Sequence, residues 1–339
     1  MPSTDPRRRF PTLTRRGFAA TLSAGAALAA GLGHPAFAQS GAWPQRPIKF
    51  IVPNAPGSSV DTIGRIMANE LAAQLHQASV IDNRAGAGGA LGMEVGRTSP
   101  PDGYNLIIGS SSATSAAPLL QKAVTYDPLR DFELVSLAAV LPNVLVCNPA
   151  LPVRTPQELA AWCRSRGKSS NMASAGIGST SHLAGVAFQS AANFESLHVP
   201  YKGGPQGVTS VMAGETDWEI SPAPAVMAMV NQGKLRLLGH SMAPNTNPLG
   251  DVPAIGKTVP GYEFSSWIGL LGPKGLPAPI VDALQKAMVE ALKSPALRKS
   301  FDSNGAVPTA STPQEFRIYL QQDIEITKKA VQIAGIKPE

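Results

Sequence analysis

Short apolar runs of strand length alternate along this chain with stretches whose apolar residues recur every three to four positions. The clearest junction comes early. Ile48, Phe50, Ile51 and Val52 form a run of buried-strand length, and Pro53, Pro56 and Gly57 stop it. From Val60 the pattern becomes helical, with Ile63, Met67, Leu71 and Leu75 four apart on one face. The same reading places strands at 48–52, 78–82, 104–109, 143–147, 170–174, 196–199, 216–220, 235–240 and 264–271. Helices are expected at 60–77, 88–97, 156–166, 181–193, 205–213, 222–232, 278–293 and 313–333. Such alternation predicts an α/β protein with parallel sheets covered by helices. Two helix starts are well marked: Thr155-Pro156-Gln157-Glu158 and Thr312-Pro313-Gln314-Glu315 each give a capping Thr, Pro at the first position and Glu at the third. Domain joins are expected near Leu141-Pro142-Asn143 and Pro260-Gly261-Tyr262. The chain then leaves a first domain (42–142 plus 263–339), builds a second (143–262) and returns, which places a ligand in the crevice at the strands' carboxyl ends.

The first 38 residues read as an export signal. Thr14-Arg15-Arg16-Gly17-Phe18 is a twin-arginine motif, followed by a Gly/Ala-rich apolar stretch and Ala36-Phe37-Ala38, a cleavage signature. The apolar stretch is shorter than the roughly 20 residues of a membrane span. Export would make the mature chain periplasmic. It would also remove Arg7, Arg8, Arg9, Arg15 and Arg16 against Asp5 alone, leaving 24 basic and 22 acidic residues, a net charge of +2. A clustered basic face for nucleic acid therefore has no support. Cys147 and Cys163 are the only cysteines, and the reading is two separately buried thiols, because twin-arginine export usually moves a chain already folded in a reducing compartment.

Two turns of small residues between a strand and a helix start stand out as chemistry. The first is Pro53 to Asp61; the second is Ser174-Ala175-Gly176-Ile177-Gly178-Ser179-Thr180-Ser181-His182. Each leaves backbone N–H groups unpaired at the positive end of a helix dipole, which suits an anion such as a carboxylate. Ser179, Thr180 and Ser181 can cap the second helix or donate to a ligand. Gly86-Ala87-Gly88-Gly89-Ala90-Leu91-Gly92 has glycines near dinucleotide spacing but no acid suitably placed to hold a ribose, and reads as a tight turn. There is no G-x-S-x-G elbow, and His76, His182, His198 and His240 are scattered without metal-binding spacing. No catalysis, metal or cofactor is expected.

Six motifs in order resemble the Bug family, the substrate-binding receptors of tripartite tricarboxylate transporters. Trp43-Pro44-Gln45-Arg46-Pro47-Ile48, with the loop Pro53 to Asp61, is similar to the family's opening and its P-x-x-P-G-G-x-x-D loop. Asp82-Asn83-Arg84-Ala85-Gly86-Ala87-Gly88-Gly89, Pro101-Asp102-Gly103-Tyr104, Tyr126-Asp127-Pro128 with Asp131-Phe132, the Ser174–His182 loop and His198-Val199-Pro200-Tyr201-Lys202-Gly203 also match. The resemblance implies a two-domain periplasmic binding protein (type II, Venus flytrap), each domain a mostly parallel sheet flanked by helices. It would be a monomeric receptor without catalytic activity, passing a small carboxylate to transporter components in the membrane or to a sensor kinase. An exported hydrolase or cofactor enzyme is the remaining alternative. Carried over by position, Asn54, Ala55, Gly57, Ser58 and Asp61 line the first loop, and Ser174, Gly178, Ser179, Thr180 and His182 the second. Two departures matter. Ser58 replaces the second glycine of P-G-G, and Ile220-Ser221 stands where many members carry Phe-Asp, which makes Ser221 a further expected ligand contact. Loss of that carboxylate points away from an amino-acid ligand and toward an uncharged-tail or aromatic carboxylate, for which Trp218 and Trp267 offer either apolar walls or core packing.

Overall fold

A computed structural model of the chain describes residues 43–242, 249–262 and 264–338. The export signal expected at 1–38 lies outside the described residues. The described chain forms one mixed ten-stranded sheet. Its first half follows the expected alternation: β1 (Ile48–Val52), α1 (Ser59–Gln74), β2 (Ser79–Asn83), α2 (Ala90–Arg97) and β3 (Asn105–Ser110). A π-helical turn (Ser111–Ala116) and the short α3 (Ala117–Leu120) precede β4 (Phe132–Cys147). The second half comprises α4 (Pro156–Arg166), β5 (Asn171–Ser174), α5 (Thr180–Ala191), β6 (Leu197–Pro200), α6 (Gly204–Ala213), β7 (Trp218–Pro222), α7 (Ala223–Asn231) and β8 (Arg236–His240). The chain finishes with β9 (Ser265–Pro273), α8 (Ala278–Ala291), α9 (Pro295–Ser303), β10 (Val307–Pro308) and α10 (Pro313–Ile333).

The sheet order is β2-β1-β3-β9-β4-β7-β5-β6, with β8 and β10 also paired to β4. Strands joined by helices are parallel, as β1 is to β2 and β3, and β5 to β6 and β7. The expectation of mostly parallel sheets needs correction, because β9 pairs antiparallel with β3 and β4, and β4 antiparallel with β7, β8 and β10. Those strands carry the chain across the middle and back, so they run against their neighbours.

The expected join at Leu141-Pro142-Asn143 lies within a continuous strand. Up to Pro142, which faces Ser265, β4 pairs with β9; from Asn143, which faces Pro222, it pairs with β7. Asn143 ties this change of partner down. Its amide donates to Phe264 O at 2.8 Å, its Oδ1 accepts from Ser266 Oγ at 3.0 Å, and its backbone N–H donates to Ser241 Oγ at 2.9 Å. Most buried polar groups are hydrogen-bonded in this way.

Two apolar clusters flank this line. Trp267 packs edge-on to Phe316 at 5.2 Å in one, and Trp218 packs against Phe188 and Phe194 at 5.8 and 5.7 Å in the other. Both tryptophans are fully buried, so they build the core rather than walls of a cleft. Helix α10 serves both clusters, Phe316 and Leu320 packing in the first and Ala330 and Val331 in the second. Midway along it the Asp323 carboxylate accepts hydrogen bonds from Ser115 of the π-turn and from Trp267 Nε1 at 2.8 Å. Cys147 and Cys163 are both buried free thiols.

Candidate functional site

The β1–α1 loop is shaped from within. Gly57 takes a positive φ of 77°, and its N–H donates to Asp61 Oδ2 at 2.9 Å. Ser58 caps α1 by accepting from the Asp61 N–H. Asp61 Oδ1 accepts from Asn83 Nδ2 at 2.8 Å and pairs with Arg65 at 2.9 Å. Burial pushes this carboxyl up, but the hydrogen bonds from Arg65, Gly57 and Asn83 together hold it below the usual range. Asn83 also donates to Asn54 O, so the loop is laced to β2.

The β5–α5 loop is built the same way. Ser179 caps α5 by accepting from the His182 N–H, and its hydroxyl donates to Gly176 O at 2.6 Å. Ser181 Oγ accepts from the Ala175 N–H at 2.8 Å. The Gly178 N–H donates to His182 Nδ1 at 3.1 Å, and Ser174 Oγ is 2.6 Å from His198 Nε2. Burial pushes the His182 imidazole down to about 4, with His198 beside it adding to the effect.

The two loops share one cavity of about 340 Å³. Of the residues expected to contact a ligand, Asn54, Ala55, Ser58, Ser179, Thr180 and Ser221 line it. The remaining expected residues stand elsewhere. Gly57 and Asp61 shape the first loop from behind, Ser174 and His182 brace the second, and Gly178 faces a neighbouring cavity of about 400 Å³ beside Leu120 and Ile336. Their polar side chains are engaged within the protein: Asp61 by Gly57, Asn83 and Arg65, Ser174 by His198, and His182 by the Gly178 N–H, so they do not reach the cavity.

Other wall segments were not singled out as ligand contacts from the sequence. Gly86 to Gly89, read there as a tight turn, form part of the wall, as do Ser112 and Lys202 to Pro205. The glycines permit close approach: a Cβ on Gly89 would lie 2.5 Å from Ala113 Cβ, and one on Gly92 would lie 2.6 Å from Pro53 Cα. The compact run of glycines was the available signal; the π-turn carrying Ser112 has no periodicity to reveal it.

Five helices begin at this wall. Ser59 and Val60 open α1, Gly89 precedes α2, Thr180 and Ser181 open α5, Gly204 opens α6, and Pro222 precedes α7. First-turn N–H groups lack intrahelical partners and carry the positive end of the dipole. Lys202 is the single charged side chain on the wall, with no carboxylate among the lining residues. The arrangement is a cradle of positive partial charge suited to an anion.

The family described as tripartite tricarboxylate transporter family receptor matches residues 63–336. The chain belongs to this family. It is 34% identical over 310 residues to protein BugT of Bordetella pertussis, covering 91% of this chain and 94% of that one. Among solved structures it is similar to Rpa4515 of R. palustris with adipate, at 31% identity and a TM-score of 0.83 over 88% of this chain and all of the other. It is also similar to MatC of Rhodopseudomonas palustris with bound malate, at 27% identity and a TM-score of 0.77 over 85% of this chain and all of that one. This tripartite tricarboxylate transporter receptor therefore has the α/β periplasmic-binding-protein fold, and its family is one of solute-binding receptors rather than enzymes.

Proposed function

We propose that this receptor captures a small organic carboxylate in the shared cavity and presents it, as a monomer, to membrane components of a tripartite tricarboxylate transporter. The observation that carries the reading is the cavity itself, walled by five helix starts and a lysine without an opposing acid. Its volume suits a ligand of modest size. The relatives bound to adipate and malate support the same chemistry. The residues 42–142 with 263–339, and 143–262, act as two lobes that close over the ligand, and the twin-arginine signal delivers the chain to the periplasm. Two or three charge-assisted hydrogen bonds at about 1.5–3 kcal/mol each, with a helix terminus at about 0.3–2, approach the roughly 8 kcal/mol of a micromolar complex before ordering costs.

Isothermal titration of the purified mature chain with succinate, malate, adipate and benzoate tests the reading. At least one is expected to bind with micromolar affinity, and Ser179→Trp, which fills the cavity, is expected to abolish binding. A folded Ser179→Trp variant that binds as well as the parent would place the ligand elsewhere. Wild-type protein that binds none of the four would overturn the assignment.

A further inference from the structure

Glu219 and Ser221 stand two residues apart on β7, so both side chains leave the same face of the strand. Ser221 reaches the cavity wall. Glu219 lies one step deeper and is 0% exposed. Its Oε1 accepts a hydrogen bond from the Ser221 hydroxyl, while Oε2 has no hydrogen-bond partner among the described residues. Helix α6 closes over that oxygen: a Cβ on Gly207 would lie 3.1 Å from Oε2 and 3.3 Å from Ser174 O.

Among the described residues no cation offsets this carboxyl. Helices α6 and α7 contain no titratable side chain, and the residue facing Glu219 on β4 is Val146. On β5 the nearest polar group is Ser174, bonded to His198 of β6, and burial pushes that imidazole down, toward its neutral form. Lys202 is exposed on the cavity wall beyond Ser221. A carboxylate with one hydrogen bond and no counter-charge is costly to bury, and burial pushes Glu219 up to about 7.

A serine hydroxyl has one proton to donate. When Glu219 is ionised, Ser221 gives that proton to Oε1 and turns only lone pairs toward the cavity, where they repel an anion. When Glu219 is protonated, its own O–H donates to Ser221 Oγ, and the serine proton is free to point at a ligand oxygen. We infer that Glu219 is a positioning residue: a proton on its buried carboxyl turns Ser221 from acceptor to donor, so an anionic ligand binds together with a proton. The inference rests on the carboxylate reading above and adds to it a rule of specificity. The cavity accepts an anion in neutral or acidic solution and turns it away in alkaline solution.

The test is titration calorimetry at pH 8 in phosphate and in Tris, whose ionisation heats differ, using whichever of succinate, malate, adipate and benzoate binds. The wild-type chain is expected to show buffer-dependent enthalpies that report uptake approaching one proton, with affinity falling about tenfold per pH unit above about 8. Glu219→Gln keeps a donor against Ser221, so it is expected to bind with buffer-independent enthalpy and a flat pH profile. Ser221→Ala, which leaves the buried carboxyl in place, is expected to bind more weakly and to lose the uptake. Equal wild-type enthalpies in the two buffers, or proton uptake that survives in either variant, would overturn the role of Glu219 while leaving the receptor reading intact. Absence of binding by all four carboxylates would sink both.

Discussion

The imidazole rings of His182 and His198 stack face to face, with centroids 3.9 Å apart and planes 8° from parallel. Each ring holds a different part of the loop that carries Ser179: His182 accepts from the Gly178 N–H, and His198 bonds Ser174. Two imidazolium ions could not stack so closely, and burial lowers both rings toward the neutral form.

The pair predicts an acid-side loss of stability. Burial holds His182 down to about 4 in the folded chain, against an ordinary value near 6.5. Below about 6.5 the unfolded chain takes up a proton that the folded chain refuses, so this contribution is lost progressively as pH falls toward 4. Glu219 and Asp323, both pushed up by burial, act in the opposite sense, so the readout is the difference between parent and variant. Thermal melts of His182→Leu across this range should lack the His182 slope. They should also show a loss of about 1–3 kcal/mol for leaving the Gly178 N–H without its acceptor.

Gly89→Ala should damage the site without touching a ligand. Gly89 has φ of 102°, which a side chain rarely adopts, and its new Cβ would meet Ala113 Cβ at 2.5 Å. Strain of about 1–3 kcal/mol would push the glycine turn away from the π-turn. A lowered melting temperature together with carboxylate affinity weakened at least about tenfold is expected, since 1.4 kcal/mol is one decade.

Asp323→Asn should stabilise the chain above pH 6. Burial pushes the Asp323 carboxyl up to about 6 from 3.8, so the folded state retains a proton that the unfolded state releases, and stability falls as pH rises from about 4 to 6. Asparagine keeps an oxygen for Ser115 and Trp267 but has no charge to bury, and a gain of about 1–2 kcal/mol at pH 7 is expected. Trp267 fluorescence reports the same event. It should shift near pH 6 in the parent and stay level in the variant.

The cysteines should resist modification. Burial pushes the Cys147 thiol up to about 12 and raises Cys163 as well, so neither supplies a thiolate at neutral pH. Both should be silent toward a thiol reagent in the folded chain and react together on unfolding.

How far the sequence revealed this structure depends on the kind of signal at each place. Helix α4 and helix α10 were expected at 156–166 and 313–333 and occupy Pro156–Arg166 and Pro313–Ile333, because cap, proline and glutamate mark their starts unambiguously. The first part of β4 was not legible. Ser136, Ala138 and Ala139 blur its alternation, and Pro142 argues against a strand interior. The structure tolerates that proline where β4 changes partners. Helix α9 was missed because only Leu297 and Phe301 are buried, too few to establish a period. At the site, the two loops could be read from turn chemistry, but the direction of each polar side chain could not. Asp61 and His182 turn inward to satisfy their own loops, a choice set by neighbours such as Asn83 and His198 that lie far away in sequence.

A strand shared by both halves of the sheet limits how this scaffold can be re-engineered. Cutting the polypeptide between Pro142 and Asn143 leaves β7 and β9 together in the C-terminal fragment but removes to the other fragment the half of β4 that pairs with β9. Half-receptors and chimaeras spliced at that point should therefore aggregate. A circular permutant opened at the exposed turn after α6, beside Gly214, keeps β4 whole and is the better starting point for a reporter fusion.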